Sequence, residues 1–401
     1  GGRPDAGRYP RGAAETGLKR HVDKERCGRT EKQKGMGIRM KTAYLLLEDG
    51  TAYKGYAMGA ERDLSAGEAI GEVVFNTDMT TSQDLLQDPT YSGQIVVQTY
   101  PLIGNRGVDP VSPSKFVASG YVVREWCVEP TDAHEFVTLD EYLRGLGIAG
   151  LCGVDTRALT RHIRDHGVMN GMIVDTPDAS ADRMERLKTY RVPPAVGKIT
   201  VSKPQRWEAE RPLYELAIPD YGFWVSILEH FLRRGCSCTL YPAHTPAEDI
   251  LAAGPDGIVL SDGPGDPWDN PEIIGILRAL AESGRPMFGW GLGHQLMALA
   301  TGADTHKMKY GHRGGNHPVK DLTNNRVYIS SQNHGYAVDG TTIDPAIAKE
   351  AFINVNDGTN EGLAYEGKNI FTVQFHPEAC PGPQDSGYLF DRFMDMMKGA
   401  K

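Results

Sequence analysis

The chain has 401 residues, of which 40% are hydrophobic and 24% charged, and its formal net charge at pH 7 is −9. This length predicts two or three domains with hydrophobic cores of their own, and it excludes peptide hormones and disulfide knots. The negative balance gives no overall attraction to nucleic acid or to an anionic membrane, so neither is expected as a partner.

Residues 1–39 differ from the rest, because eleven lysine or arginine residues there face only five acidic ones. The segment is glycine-rich and has no apolar periodicity, which fits neither a secretory signal nor a transit peptide. We interpret it as a disordered extension, or as sequence upstream of a natural start at Met40. Nowhere does an apolar run approach the roughly 18 residues of a membrane span.

The six cysteines form no CxxC pair. Neither structural zinc nor a disulfide framework is therefore expected, and the cytoplasm is the default location.

Residues 40–190 predict a β-rich N-terminal domain. Strand-like alternation surrounds an Asp49-Gly50 turn, which is a strong hairpin signal. Further short strands are expected, and two short helices follow them, the second with Asp155 or Thr156 as its N-cap. Residues 191–211 are punctuated by proline and lack periodicity, which is typical of a linker.

Residues 212–401 alternate between strand and helix patterns. Gly235 is expected to end one helix and Pro271 to begin another. Repeated strand-turn-helix units predict an α/β domain with a doubly wound, mostly parallel sheet. Segments 257–260, 286–290 and 370–375 should be neighbouring strands of that sheet. Ligands of such sheets bind beyond the carboxyl ends of the strands.

Three strand ends carry glycine-rich or polar turns, namely SDGPGDP (261–267), GWGLGHQ (289–295) and FHPE (375–378). The middle one has the form of a nucleophile elbow, where a strand enters a sharp turn and the next helix points its amides at the tip. The tip residue is Gly291, which has no side chain that could attack a substrate. Its GxGxG spacing differs from the GxGxxG of a dinucleotide loop, so that alternative is disfavoured.

From Met40 onward the chain resembles the small subunit of glutamine-dependent carbamoyl phosphate synthetase. The resemblance rests on MKTAYLLLEDGT, GEVVFNT, GVDTRALTRHIRDHG, GPGDP, LGHQL, SQNHGYAVD and VQFHPEACPGP. It implies a β-rich N-terminal domain followed by a doubly wound class I glutamine amidotransferase-like domain. In that family an elbow cysteine attacks the side-chain amide of glutamine, and the released ammonia passes to a separate large subunit that consumes ATP and bicarbonate.

The same resemblance implies a role in pyrimidine or arginine biosynthesis, with no cofactor and no metal in this subunit. His376 matches the family base and Glu378 matches the carboxylate that orients it. The positions that match the glutamine site are Gly263, Gly265, Leu292, Gln295, Asn333, Gly335 and Tyr336. His294 and His334 also lie in matching motifs, and we interpret them as structural.

The departures from the family fall mostly on one pocket. Gly291 replaces the cysteine, with Trp290 beside it where a smaller aliphatic residue is usual. Asp78 replaces a serine, and Trp224 replaces a glutamine-contacting lysine. The remaining changes are Asp262 for an asparagine, and Thr81 and Ser82 for a glycine and an aromatic residue.

The replacements at Trp224 and Asp78 shift the pocket by two charges toward negative, and Gly291 removes the atom through which every acyl-transfer step runs. Glutamine hydrolysis is therefore predicted to be lost. Cys380 as a displaced nucleophile and Asp78 as a solvated loop acid are the less favoured alternatives.

Several functions stay open at this point. The first is a small subunit without glutaminase activity that still binds a large subunit and supports ammonia-dependent synthesis. The second is a repurposed enzyme in which His376 and Glu378 transfer protons to another small molecule. A non-catalytic regulatory protein and an active glutamine-hydrolysing subunit are the others. Intact motifs around a changed ligand shell favour a small molecule in the former glutamine cleft, in contact with Asp78, Trp224 and Trp290.

Overall fold

The computed structural model describes residues 41–61, 69–79, 85–86, 88–110, 118–131, 136–222, 225–378 and 384–400. The predictions for residues 1–39, Thr81, Ser82, Trp224 and Cys380 lie outside these ranges. Contacts group residues Met40–Lys401 into one compact unit. No described helix is long and apolar enough to cross a membrane.

The first half of this unit is built on a closed barrel of seven strands. The strands of this half are β1 (Thr42–Leu47), β2 (Ala52–Gly59), β3 (Ala69–Asn76), β4 (Gln94–Gln98), β5 (Leu102–Ile103), β6 (Gly120–Val122), β7 (Glu125–Trp126), β8 (Ala149–Cys152) and β9 (Met169–Val174). β5 and β7 pair with each other outside the barrel. The order around the barrel is β1-β2-β8-β6-β4-β3-β9. Alternate residues of β1, Ala43, Leu45 and Leu47, enter one buried cluster with Val73 and Ile95, as the two-residue period of a strand requires.

The helices of this half are α1 (Leu139–Gly145), α2 (Thr156–His166) and α3 (Ala181–Thr189). Two local predictions are confirmed. Gly50 adopts a positive φ of 86° in the turn between β1 and β2, and Asp155 caps α2 by accepting the Ala158 N–H at 3.0 Å.

The second half is built on a sheet of ten strands. They are β10 (Gln205–Trp207), β11 (Tyr214–Asp220), β12 (Cys236–Pro242), β13 (Gly257–Leu260), β14 (Met287–Trp290), β15 (Thr305–Asp321), β16 (Arg326–Val338), β17 (Ala348–Asn354), β18 (Asn360–Tyr365) and β19 (Ile370–Val373). The helices are α4 (Val196–Ile199), α5 (Val225–Leu232), α6 (Ala247–Ala252), α7 (Pro271–Ala281), α8 (Leu292–Ala300) and α9 (Tyr388–Ala400).

The sheet order is β10-β12-β11-β13-β14-β19-β18-β17-β15-β16. The predicted neighbours β13, β14 and β19 are confirmed, and with β11 and β12 they form the parallel part. The other five strands are antiparallel, so the sheet is less parallel than predicted. Short turns join β15 to β16, β17 to β18 and β18 to β19, whereas a parallel crossover needs a dozen or more residues.

Residues 191–211 are also more structured than a linker would be. They contain α4 and β10, and β10 pairs antiparallel with β12 at the sheet edge. The three residues of β10 are too few to show a periodic pattern in the sequence. The edge of β12 supplies the hydrogen-bonding partners of β10.

Both faces of the parallel sheet are buried, which decides where β14 side chains point. Met287 packs on the face covered by α7 and α8, whereas Phe288 and Trp290 pack on the face covered by α5 and α9. The carboxyl ends of β13 and β14 therefore lie between two hydrophobic cores, and the turns that follow these strands lie at the same edge of the sheet.

Candidate active site

The elbow at the end of β14 is present in the structure. Gly291 has φ 53° and ψ −120°, and α8 begins at the next residue. Its N–H donates to the Val373 carbonyl at 3.1 Å, and its own carbonyl accepts the Gln295 N–H at 3.2 Å. Positive φ is unfavourable for residues with a side chain, so this turn has the strained shape of an elbow without a nucleophile at its tip.

Asp262 lies against that tip. It follows the carboxyl end of β13. The strand order reverses at β11, which pairs with β12 on one side and β13 on the other, so Asp262 lies at the switch point of the sheet. Its Oδ1 accepts the Leu292 N–H at 2.8 Å and the Gly263 N–H at 2.7 Å. A Cβ placed on Gly291 would overlap Cγ and both carboxylate oxygens of Asp262. The carboxylate therefore fills the space of the missing side chain.

His376 and Glu378 form a buried pair beside Asp262. The His376 Nδ1 lies 3.0 Å from Glu378 Oε1, and its Nε2 lies 3.7 Å from Asp262 Oδ2. The His376 N–H donates to the Ser331 carbonyl at 3.0 Å, which fixes the segment against β16.

Electrostatics at this pair favour the charged imidazole. Burial alone would lower the pKa of His376, but the carboxylates of Glu378 and Asp262 outweigh it and raise that pKa well above its ordinary value. Burial raises the pKa of Asp262, although the charge of His376 and the amides of Leu292 and Gly263 oppose that rise. Both nitrogens of His376 face carboxylates, and this arrangement favours its imidazolium form.

A cavity of about 520 Å³ opens next to this cluster. It is lined by Asp262 and by all seven positions that match the glutamine site: Gly263, Gly265, Leu292, Gln295, Asn333, Gly335 and Tyr336. The Gln295 Nε2 donates to the Tyr336 carbonyl at 2.8 Å and to Gln374 Oε1 at 2.9 Å, so its amide is held by the protein. The structure brings these residues together, and their contact with a ligand stays a prediction.

The cavity extends to residues that sequence reasoning missed. Glu72 from the barrel and Lys307 from β15 form an ion pair on its wall, and Arg313 lines it while being only 3% exposed. Burial lowers the pKa of Arg313, and the carboxylates of Glu72 and Asp88 oppose that effect. The only sequence feature that could have indicated Arg313 as a cavity residue is its place in the glycine-rich segment GHRGG.

Two of the predicted ligand residues lie elsewhere. Trp290 is 1% exposed and packs 5.6 Å from the Phe288 ring in the sheet core, so the expectation that it adds aromatic surface to the cleft is wrong. Successive residues of a strand point to opposite faces, and residue 290 points away from the cavity. Asp78 does not line the cavity. Its Oδ1 accepts the Gly315 N–H at 2.7 Å, which ties the loop after β3 to β15.

The two motif histidines are buried and held by neighbours. The His294 Nδ1 lies 2.8 Å from Thr372 Oγ1, and burial lowers its pKa to about 3. The His334 Nδ1 lies 2.7 Å from the Tyr336 carbonyl, and burial lowers its pKa well below the ordinary value. Both are neutral, as a structural role requires.

A metal site was not expected from the sequence, but one set of the described residues has potential ligand atoms close together. His312, His334 and Glu361 are buried, and their ligand atoms all lie within 4.8 Å of one another. Histidine and carboxylate ligands suit zinc. However, His312 already contacts Asp357 Oδ2 at 2.9 Å and Gln332 Oε1 at 3.0 Å, so these groups have partners without an ion.

Among the residues that the structure describes, no cysteine thiol lies at the elbow tip or in the cavity. None of the four described cysteines lines the cavity, and burial raises the pKa of Cys152 to about 11 and that of Cys236 to about 12. Two convergent amides and an imidazolium remain, and all three are directed at Asp262.

Comparisons with known proteins cover both halves. Residues 45–173 match the family described as carbamoyl-phosphate synthase small chain, CPSase domain, and residues 217–396 match glutamine amidotransferase class-I. A solved glutamine amidotransferase from Thermotoga maritima has a TM-score of 0.34 and 20% identity, over 46% of this chain and 84% of its own, which is too distant to carry an argument.

Curated relatives match over nearly their full length. The carbamoyl phosphate synthase small chain of Symbiobacterium thermophilum is 45% identical over 362 residues, covering 88% of this chain and 97% of the relative. That of Listeria monocytogenes serotype 4b is 45% identical over 363 residues, covering 90% and 98%. With both halves matched and relatives 45% identical over nearly their full length, the chain belongs to the carbamoyl phosphate synthase small chain family.

Proposed function

We propose that this chain is a carbamoyl phosphate synthase small subunit that no longer hydrolyses glutamine, and that it binds a large subunit which uses ammonia from solution. The single observation that carries the proposal is Gly291 at the elbow tip. Hydrolysis through an acyl-enzyme needs an attacking atom at that point, and removing the nucleophile of such a site costs several orders of magnitude in rate.

The state of His376 supports the proposal. A general base must be able to accept a proton at the working pH. Here the neighbouring carboxylates raise the pKa of His376, which favours the protonated form of the imidazole. Protonation makes this imidazole less available as a base, and Gly291 supplies no nucleophile at the elbow tip.

Binding to a large subunit is supported by the match to relatives named small chain, which spans both halves of this chain. The small subunit would then act as a structural partner. Its pocket would stay folded because the buried hydrogen bonds around Gln295 and Asn333 link it to the core.

The test is an assay of the purified chain with and without a carbamoyl phosphate synthase large subunit. We expect a stable complex by native mass spectrometry, carbamoyl phosphate formation from ammonium chloride, and no ammonia release from glutamine above the uncatalysed background. The Symbiobacterium thermophilum small chain is assayed in parallel. Ammonia release by this chain at a rate within a thousandfold of that of the Symbiobacterium thermophilum small chain would contradict the proposal, and so would failure to bind the large subunit.

The repurposed-enzyme alternative draws on the cavity of about 520 Å³ beside an intact His376–Glu378 pair. A thermal-shift screen of metabolites on the same preparation separates the two functions. A ligand that stabilises wild type but not His376→Asn, with no binding of the large subunit, would favour repurposing.

A further inference from the structure

The elbow holds two amides that converge on one oxygen atom, and that oxygen belongs to the protein itself. The N–H groups of Leu292 and Gly263 lie 2.8 and 2.7 Å from Asp262 Oδ1. We propose that Asp262 occupies the anion-binding position of the elbow and excludes acyl substrates from it, so that the site is closed by this carboxylate and not only by the missing nucleophile. The inference rests on the proposed function.

The geometry of the two amides is that of a site for developing negative charge. One amide belongs to the residue after the elbow tip and begins α8, and the other comes from the turn after β13. Preorganised donors at 2.7–3.1 Å from a developing oxyanion are the main electrostatic device of acyl-transfer enzymes. An acyl oxygen cannot reach these donors while Asp262 Oδ1 accepts both.

Asp262 and Gly291 depend on each other sterically. A Cβ at residue 291 would overlap the carboxylate, so Asp262 adopts this position only because Gly291 has no side chain. A cysteine at residue 291 would push the Asp262 carboxylate aside and leave the displaced anion beside the thiol. A neighbouring anion disfavours the thiolate, which is the reactive form.

His376 contributes to the same closure from the other side. Its Nε2 faces Asp262 Oδ2 at 3.7 Å and its Nδ1 faces Glu378 Oε1 at 3.0 Å. Asp88, from the barrel half, adds a further negative charge to its surroundings. The imidazole and the two amides together hold the carboxylate in place, and the carboxylate in turn favours the protonated form of the imidazole.

The experiment uses the thiol itself as a probe, in the full chain. The variants are Gly291→Cys, Gly291→Cys with Asp262→Asn, and, as a matched control, Gly291→Cys with Asp269→Asn. Asp269 lines the same cavity and makes no hydrogen bond to the described residues of the elbow, so the control removes one charge of the same kind. Circular dichroism melts verify that the three variants fold alike.

The first readout is the rate at which iodoacetamide alkylates the introduced thiol at pH 7, followed by mass spectrometry of the peptide that contains residue 291. We expect Asp262→Asn to raise that rate about tenfold over Gly291→Cys alone, because the gain in thiolate exceeds the loss in its nucleophilicity. The Asp269→Asn control should react like Gly291→Cys. Equal rates with and without Asp262 would overturn the inference.

The second readout is ammonia release from L-glutamine. Release by the variant with both Gly291→Cys and Asp262→Asn, but not by Gly291→Cys alone, supports the inference, and equal release by both overturns it. The two proposals fail separately. Ammonia release by the wild-type chain contradicts the proposed function, whereas the alkylation rates judge Asp262 without any use of glutamine.

Discussion

At the scale of single residues, the site is defined by a carboxylate that fills the space of a missing side chain. The side chain that a reactive elbow carries at residue 291 is absent, and the carboxylate of Asp262 lies in its place. Asp262 also favours the charged form of His376, since Glu378 and Asp262 flank its two nitrogens. A motif that looks intact in FHPE is thus electrostatically altered by a residue from another strand end.

We expect Asp262→Asn to lower the pKa of His376 by roughly one unit or more, because it removes one of the carboxylates that favour the imidazolium. The pKa is measured by NMR titration of the imidazole nitrogens, with the His376→Asn spectrum giving the assignment. Since the wild-type pKa is raised, the imidazolium should persist through neutral pH and be lost only in alkaline solution. An unchanged pKa in Asp262→Asn, equal to that of Asp269→Asn, would contradict this.

At the scale of elements, the elbow depends on how closely α8 approaches β13. The Gly293 N–H donates to the Ser261 carbonyl at 3.1 Å, so the first turn of α8 lies directly on the strand end. A Cβ on Gly293 would lie 2.6 Å from the Leu260 carbonyl oxygen and 2.7 Å from its Cβ. Backbone sets both of these positions, and neither can give way cheaply.

We therefore expect Gly293→Ala to lower the free energy of unfolding by about 1–3 kcal/mol, through overpacking against β13. Gly275→Ala is the matched control. Gly275 is exposed in the interior of α7, and a Cβ there meets nothing within 4 Å. The control should gain about 0.5–1 kcal/mol from helix propensity. Urea unfolding measures both, and a Gly293→Ala variant as stable as wild type would show that α8 can shift away.

At the scale of the whole molecule, the barrel and the large sheet meet along β15 and β16. The Val168 N–H donates to the Lys309 carbonyl at 2.7 Å, and Gly315 donates to Asp78. Asn333 Nδ2 donates to Asp88 Oδ2 at 2.7 Å and also contacts Thr90. The long hairpin thus forms one wall of the cavity and joins the two halves.

We expect Asn333→Ala to lower the free energy of unfolding by about 2 kcal/mol, since it leaves a carboxylate oxygen of the buried Asp88 without this donor. Asn356→Ala, at an exposed position, should change that free energy by less than about 0.5 kcal/mol. Urea unfolding monitored by fluorescence and circular dichroism gives both values. Equal stability of the two variants would mean that the Asn333–Asp88 contact does not join the halves.

Much of the local structure was determined by the sequence alone. The hairpin at Gly50, the cap at Asp155 and the start of α7 at Pro271 each depend on the φ/ψ preferences or side-chain hydrogen bonds of a few adjacent residues. The neighbouring strands β13, β14 and β19 followed from short apolar runs that end in polar turns. Seven positions predicted from motifs do line one cavity, because the ends of parallel strands meet at one edge.

Only the tertiary structure decided the rest, because it depends on contacts between residues far apart in the chain. The burial of Trp290 depends on which sheet face α5 and α9 cover, and the pairing of β10 depends on the open edge of β12. The position of Asp262 depends on the space left by a glycine 29 residues later. A sequence shows that residues 262 and 291 have changed, but only their packing shows that one now fills the place of the other.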